Sequence, residues 1–206
     1  MTTSIRDASV SLQNILTQRL GADPDVLASL PPGATLTVSI RSPDEMLNTP
    51  EQGISLWLYK VTRDEHLNNC PPRRVSNARH RPPPLPLRLH YLLTPVLELD
   101  TGLSAPEFEH TVLGKALQLF AEEPVLRGAA LVGALRSEVS QITVRLETLT
   151  TEEITRIWDA LESNYKLSVS YEVTVIPVDV RSEIVSGPPV AILANEYGTA
   201  YAEGPA

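Results

Sequence analysis

One cysteine, Cys70, stands in the whole chain, so no disulfide can form within it, as fits a reducing compartment. No apolar run approaches the roughly 20 residues that a helix needs to cross a bilayer. The opening M-T-T-S-I-R-D-A-S-V sets an arginine and an aspartate where a secretory signal requires an unbroken apolar stretch. These absences predict a protein that stays in the cytoplasm where it is made, without membrane insertion. Positive charge is also short, 17 Lys and Arg against 25 Asp and Glu, and the formal charge of −8 disfavours partners that demand clustered cations, nucleic acid and anionic membrane above all.

The patterns of catalysis are equally scarce. His66, Cys70, His80 and His90 are metal-ligand types, but no CxxC or HExxH spacing fixes two of them in one geometry, so no metal is expected. No G-x-S-x-G elbow presents a serine, and no cysteine opens a helix that would lower its pKa. Gly128 and Gly133 are not followed by the Lys and Ser/Thr of a phosphate loop, and Gly114 falls inside a helical pattern, which argues against a nucleotide. Glu152 and Glu153 look like paired acids, yet they follow Thr150-Thr151 at the start of a helical pattern, where a capping box accounts for them. The expectation is a protein without catalytic residues or cofactor.

What is present is alternation and helical spacing. The most informative stretch is R-P-P-P-L-P-L-R-L-H-Y-L-L-T-P at 81–95. Its prolines hold an extended entry. Beyond them Leu85, Leu87, Leu89, Tyr91 and Leu93 alternate with Pro86, Arg88 and His90, which predicts a strand with one buried and one polar face. Pro86 cannot donate to a ladder, so this end belongs at an edge, a bulge or the first paired position, and an edge could pair with another chain. His90 on the polar face is expected to hydrogen-bond across the sheet or across a subunit boundary.

Further strands are predicted at 35–41, at 53–62 (apolar on both faces, hence central), at 141–147 and at 167–175. Residues 4–20 place Ile5, Leu12, Ile15, Leu16 and Leu20 on one helical stripe. Residues 107–120 do the same with Phe108, Val112, Leu113, Ala116, Leu117 and Phe120, and a helix after Thr150 turns Ile154, Ile157, Trp158 and Leu161 inward. The fold class is mixed α/β, a mainly antiparallel twisted sheet flanked by helices. A domain over 1–180 precedes a flexible tail over 181–206 whose Gly, Pro and isolated apolar residues cannot build a core.

Between the strands at 53–62 and 85–93 lies a loop, 63–81, long enough to demand a functional reason or disorder. It carries Arg73, Arg74, Arg79 and Arg81, and no acid occurs from Pro71 to Leu97, whereas Glu107, Glu109, Glu122, Glu123, Glu152 and Glu153 fall on helical segments. No aromatic residue lies between Pro71 and Leu89 to stack on bases, so an acidic protein face suits these arginines better than RNA or DNA. The interface candidates are Arg73, Arg74, Arg79, Arg81, Arg88 and His90, with Val190, Ile192 and Leu193 as an arm that orders on a partner.

The blocks W-L-Y-K-V at 57–61, P-L-P-L-R-L-H-Y-L-L-T-P at 84–95, H-T-V-L-G-K-A-L-Q-L-F at 110–120 and I-W-D-A-L-E-S-N-Y-K-L-S-V-S-Y-E-V at 157–173, in this order, resemble the cap or tail-terminator proteins of phage-tail-like contractile injection systems. The resemblance covers most of residues 5–179. It implies a subunit of a six-fold ring that closes the inner tube and anchors the last sheath layer. Its partners would be further copies of itself, the tube protein, the sheath protein and a tape-measure protein, in a particle assembled in the cytoplasm and released. The short tail after Asp179 departs from the larger C-terminal domain of some relatives. Two other readings stay open on the residues alone, a peptide-binding adaptor using the Pro-rich edge and a small hydrolase with a dispersed site.

Overall fold

The computed structural model describes residues 4–49, 51–65, 71–76, 79–83, 85–97, 105–138, 141–178 and 184–185. The chain divides into two compact units, Met1–Asn69 with Pro84–Asp179, and Cys70–Pro83 with Val180–Ala206.

The larger unit is built on a six-stranded mixed sheet in the order β1-β2-β5-β8-β7-β6. Its strands are β1 (Leu36–Ser39), β2 (Gln52–Arg63), β5 (Leu85–Val96), β6 (Val125–Arg127), β7 (Gln141–Glu147) and β8 (Val169–Val178). Only β1–β2 is parallel; every other pair is antiparallel. The short helix α3 (Pro43–Leu47) supplies the crossover that parallel neighbours require. At Gly53 the backbone has φ 147°, and a Cβ there would lie 2.1 Å from the Thr37 carbonyl oxygen of β1. Glycine is what allows β1 and β2 to close.

Alternation divides the sheet cleanly. Cross-strand partners share a face, so Leu56–Leu93, Leu58–Tyr91, Leu89–Val173 and Tyr91–Tyr171 all lie on one side. That side is buried beneath α1 (Ser4–Leu20) and α4 (Ala105–Glu122), whose Leu12, Leu16, Phe108, Val112, Ala116 and Phe120 complete the main core. The predicted stripes of both helices are therefore the core stripes. Leu146 of β7 shares this face but is exposed, at the far end of a strand whose Ile142 and Val144 are buried in the same core. Ile40, within the strand predicted over 35–41, falls just beyond the end of β1 and is exposed as well.

The helix α1 also carries a buried polar stripe that its apolar spacing does not announce. Asp7 Oδ2 accepts from the Ala134 N–H at 3.0 Å, and Ser11 Oγ accepts from the Val132 N–H at 3.0 Å. They satisfy N–H groups at the start of α5 (Gly133–Glu138) that the first turn of a helix leaves without an intrahelical partner.

One expectation is overturned. The strand β5 is not an edge; it pairs with β2 on one side and β8 on the other. The proline is accommodated because Pro86 faces Pro177, so neither strand offers an N–H there, and a register shift follows between Leu87 and Arg88. The edges are β1 and β6, and the strand edge on which a peptide adaptor would depend is already filled.

The smaller unit holds a three-stranded sheet, β3 (Arg73–Arg74), β4 (Arg79–Arg81) and β9 (Ile184–Val185), in the order β3-β4-β9. The stretch at 63–81 read as a loop thus contains two paired strands, and part of it extends β2 to Arg63. Beyond β3 the Val75 and Ser76 N–H groups both donate to the Arg79 carbonyl of β4.

Candidate functional site

The second face of the large sheet carries the site. By register, Thr62 faces Arg88, Arg88 faces Thr174, His90 faces Glu172, Leu92 faces Ser170, and on β7 Arg145 and Glu147 face Glu172 and Ser170. The register shifts twice, on β2 between Leu58 and Lys60, which leaves Tyr59 as the extra residue, and on β8 opposite Leu87 and Arg88, which pair with Ile176 and Thr174.

Glu147 is the hub. Its Oε2 accepts from Ser170 Oγ at 2.7 Å, from Tyr59 Oη at 3.2 Å and from His90 Nδ1 at 3.0 Å. Burial alone would raise this carboxyl, but the hydrogen bonds from His90, Ser170 and Tyr59 outweigh it and hold the pKa below the usual carboxylate value. An ionised carboxylate can only accept, which places a proton on His90 Nδ1. Nε2 of the same ring lies 3.0 Å from Thr62 Oγ1. The Tyr59 hydroxyl is pushed up to about 12, first by burial and then by the Glu147 charge beside it, so it remains a donor. Next to this cluster Arg88 meets Asp64, Nη2 donating to Oδ1 at 3.2 Å and Nε 3.1 Å from Oδ2, and reaches Glu172 at 3.4 Å. The Asp64 hydrogen bond is the main reason the guanidinium pKa is raised.

Hydroxyl, imidazole and carboxylate stand in a row through Thr62, His90 and Glu147, the order seen in nucleophilic triads. The chemistry does not follow. Thr62 sits within a paired strand rather than on a turn that would aim its hydroxyl at a substrate, and His90 is only 4% exposed. The arrangement ties β2, β5, β8 and β7 together through side chains.

Beside this cluster an open trough of about 440 Å³ separates β2 from α6 (Thr151–Ala160), lined by Trp57, Tyr59, Leu149 and Ile157 with Lys60 and Arg156 among its charged groups. The helix begins as the sequence predicts: Thr150 Oγ1 accepts from the Glu153 N–H at 3.3 Å, and Glu153 accepts from the Thr150 N–H at 2.9 Å. The backbone and side chain of Thr150 lower the Glu153 pKa. Trp158 is buried and donates to Ser168 Oγ at 3.3 Å, whereas Ile154, Ile157 and Leu161 are only half-buried.

The sequence-predicted residues fall in three places. Arg88 and His90 belong to the polar cluster, and His90 does bond across the sheet. Arg73, Arg74, Arg79 and Arg81 belong to the small sheet, where Arg73 is the register partner of Arg81, and Arg74, Arg79 and Arg81 are exposed. Val190, Ile192 and Leu193 lie outside the described residues, as do His66 and Cys70. Among the described residues no three His, Cys, Asp or Glu side chains are grouped to hold a metal ion, and no helix is long and apolar enough to cross a membrane. Thr62, Glu147, Ser170 and the trough were missed; for Glu147 and Ser170 the polar positions of the alternation at 141–147 and 167–175 were the signal.

The family described as the Pvc16 N-terminal domain matches residues 7–192, most of the chain. The chain belongs to the Pvc16 N-terminal domain family. Among solved structures, the sheath/tube terminator of PVC, an extracellular contractile injection system, in its extended state shares this fold with a TM-score of 0.62 at 18% identity, over 99% of this chain and 66% of that one. The tube-terminating cap of the anti-feeding prophage gives a TM-score of 0.49 at 17% identity, over 86% of this chain and 59% of the cap. The chain therefore spans less than two thirds of the length of either solved protein. No curated protein matches it.

Proposed function

We propose that this member of the Pvc16 N-terminal domain family ends the inner tube and anchors the last sheath layer of a contractile injection system, as a ring of six copies. The observation that carries the proposal is the family match over residues 7–192. The fold likeness to a sheath/tube terminator along nearly the whole chain supports it. The physical requirement is simple. A helical stack offers a fresh binding face at its growing end, and only a subunit with one matching and one mismatched face stops it. Function then resides in surfaces: faces for the tube protein, the sheath protein and neighbouring copies, with a tape-measure protein as a further partner. No catalytic step, cofactor or nucleic acid enters. The ring assembles in the cytoplasm as part of the particle.

The test is placement. A tagged chain expressed with its particle is expected at one end only, seen by gold labelling in electron micrographs, and at ring mass by light scattering at high concentration. Label along the shaft, or absence from particles, would overturn the proposal.

The arginine hairpin is proposed as the electrostatic part of docking, against an acidic face of tube or sheath. Each exposed pair contributes only about 0–1 kcal/mol, so the effect needs all four. Replacing Arg73, Arg74, Arg79 and Arg81 with glutamine is expected to leave the melting of the larger unit unchanged and to lower particle-end occupancy about tenfold or more, a loss of about 1.4 kcal/mol or more. Raised salt should mimic the loss in the wild type. Unchanged occupancy would remove the arginines from docking and leave the terminator reading standing.

A further inference from the structure

We propose that the trough between β2 and α6 receives the apolar segment around Val190, Ile192 and Leu193 of a second copy, so that neighbouring subunits hold one another by exchanged arms. This rests on the ring proposed above and names the contact that would join it.

The argument starts from what α6 leaves undone. A strongly amphipathic helix normally buries its apolar stripe. Here only Trp158 is fully covered, while Ile154, Ile157 and Leu161 stay half-buried. Across the gap Trp57 is half-buried too, on the sheet face away from the main core. At about 440 Å³ the trough lies within the roughly 300–1,000 Å³ typical of pockets that hold a ligand. It is larger than a packing defect.

Charge then selects the occupant. Arg156 is held by Glu152 at 2.6 Å, and Glu153 is held in the cap of its own helix. Lys60 is exposed and feels the charge of Glu153, but no carboxylate lies within ion-pair distance of it among the described residues. The trough therefore fits branched apolar side chains followed by an acid. The sequence V-A-I-L-A-N-E-Y at 190–197 has that composition, with Glu196 three residues after Leu193. A second copy suits it because a head-to-tail ring needs a donor and an acceptor on every subunit, and an apolar segment too short for a core gains burial only on a partner.

Trapping between copies tests this. Two full-length proteins are made in a Cys70→Ser background, one with Arg156→Cys and one tag, the other with Leu193→Cys and a second tag; they are mixed, concentrated and oxidised. The expected result is a covalent species carrying both tags. It should fall about tenfold when Ala160→Glu is added to the first protein. Replacing Arg156→Cys by Thr17→Cys, on exposed α1 surface, should give none. Circular dichroism of each variant confirms that it folds. Light scattering on the same samples separates the two proposals. No doubly tagged species at ring mass overturns the exchanged arm and leaves the ring. No doubly tagged species at monomer mass overturns both. Equal trapping by Thr17→Cys also overturns the arm.

Discussion

Replacing Glu147 with leucine is expected to cost about 2–4 kcal/mol. The change removes the carboxylate oxygen that Ser170 Oγ, Tyr59 Oη and His90 Nδ1 share; Tyr59 Oη and Ser170 Oγ, 2.9 Å apart, can still bond to each other, so His90 Nδ1 and one of the two hydroxyls lose their acceptor. An unsatisfied buried partner loses about 1–3 kcal/mol. The Glu147 side chain is 23% exposed, so water recovers part of that and keeps the total below the simple sum. For a chain of this size the melting temperature should fall by roughly 2–4 °C for each kcal/mol. Glu147→Gln, which keeps an acceptor, should lose less. The pH dependence has a fixed sign. The folded carboxyl has a depressed pKa, so its contribution is present above the unfolded carboxylate value and is lost as pH falls through the folded one. Chemical denaturation followed by tryptophan fluorescence should show the gap between wild type and Glu147→Leu narrowing on acidification. A gap independent of pH would mean that the charge of Glu147 is not what the cluster uses.

Gly53→Ala is expected to destabilise by about 3 kcal/mol or more, the sum of overpacking and of a strained positive φ. The new Cβ would lie 2.1 Å from the Thr37 oxygen and 2.8 Å from its nitrogen, both backbone atoms that cannot swing aside. The strand β1 must therefore move, with its parallel pairing from Leu36–Gln52 to Ser39–Ser55. Amide exchange distinguishes this from general weakening: β1 amides should lose protection at alanine while those of β8 keep it. Protection lost evenly across the sheet would contradict the local account.

Elements with a long period were legible, and those made by a few polar atoms were not. The stripe of α1 and the alternation of β7 locate both elements with their observed ends, because many apolar positions vote together. The helices α2 (Pro24–Ser29) and α3 are too short for a period, although their starts were written in the chain. Asp23 caps Pro24-Asp25, and Ser42 forms a capping box with Glu45 around Pro43. Pro86 suggested an edge, a bulge or a first paired position for a sound local reason, and a register shift does lie beside it, but its accommodation depends on Pro177, ninety-one positions away and opposite it only in the folded sheet. The site suffered likewise. His90 was placed on a polar face from sequence, while its partners Thr62 and Glu147 arrive from other strands at separations of 28 and 57 residues. The family was legible through the quoted blocks, which carry core residues such as Leu89, Tyr91, Phe120 and Trp158, and so they pointed to fold and family and not to any surface.

The surfaces are therefore where the account stands or falls. Deleting the chain from cells that make the particle, and measuring particle lengths and sheathed ends by electron microscopy, tests it most directly. Tube and sheath proteins should be made in normal amount, but particles should be ragged, of uncontrolled length and poor at retaining sheath, and the wild-type chain supplied in trans should restore a single length. Particles of normal length and intact sheath in the deletion strain would contradict the terminator role.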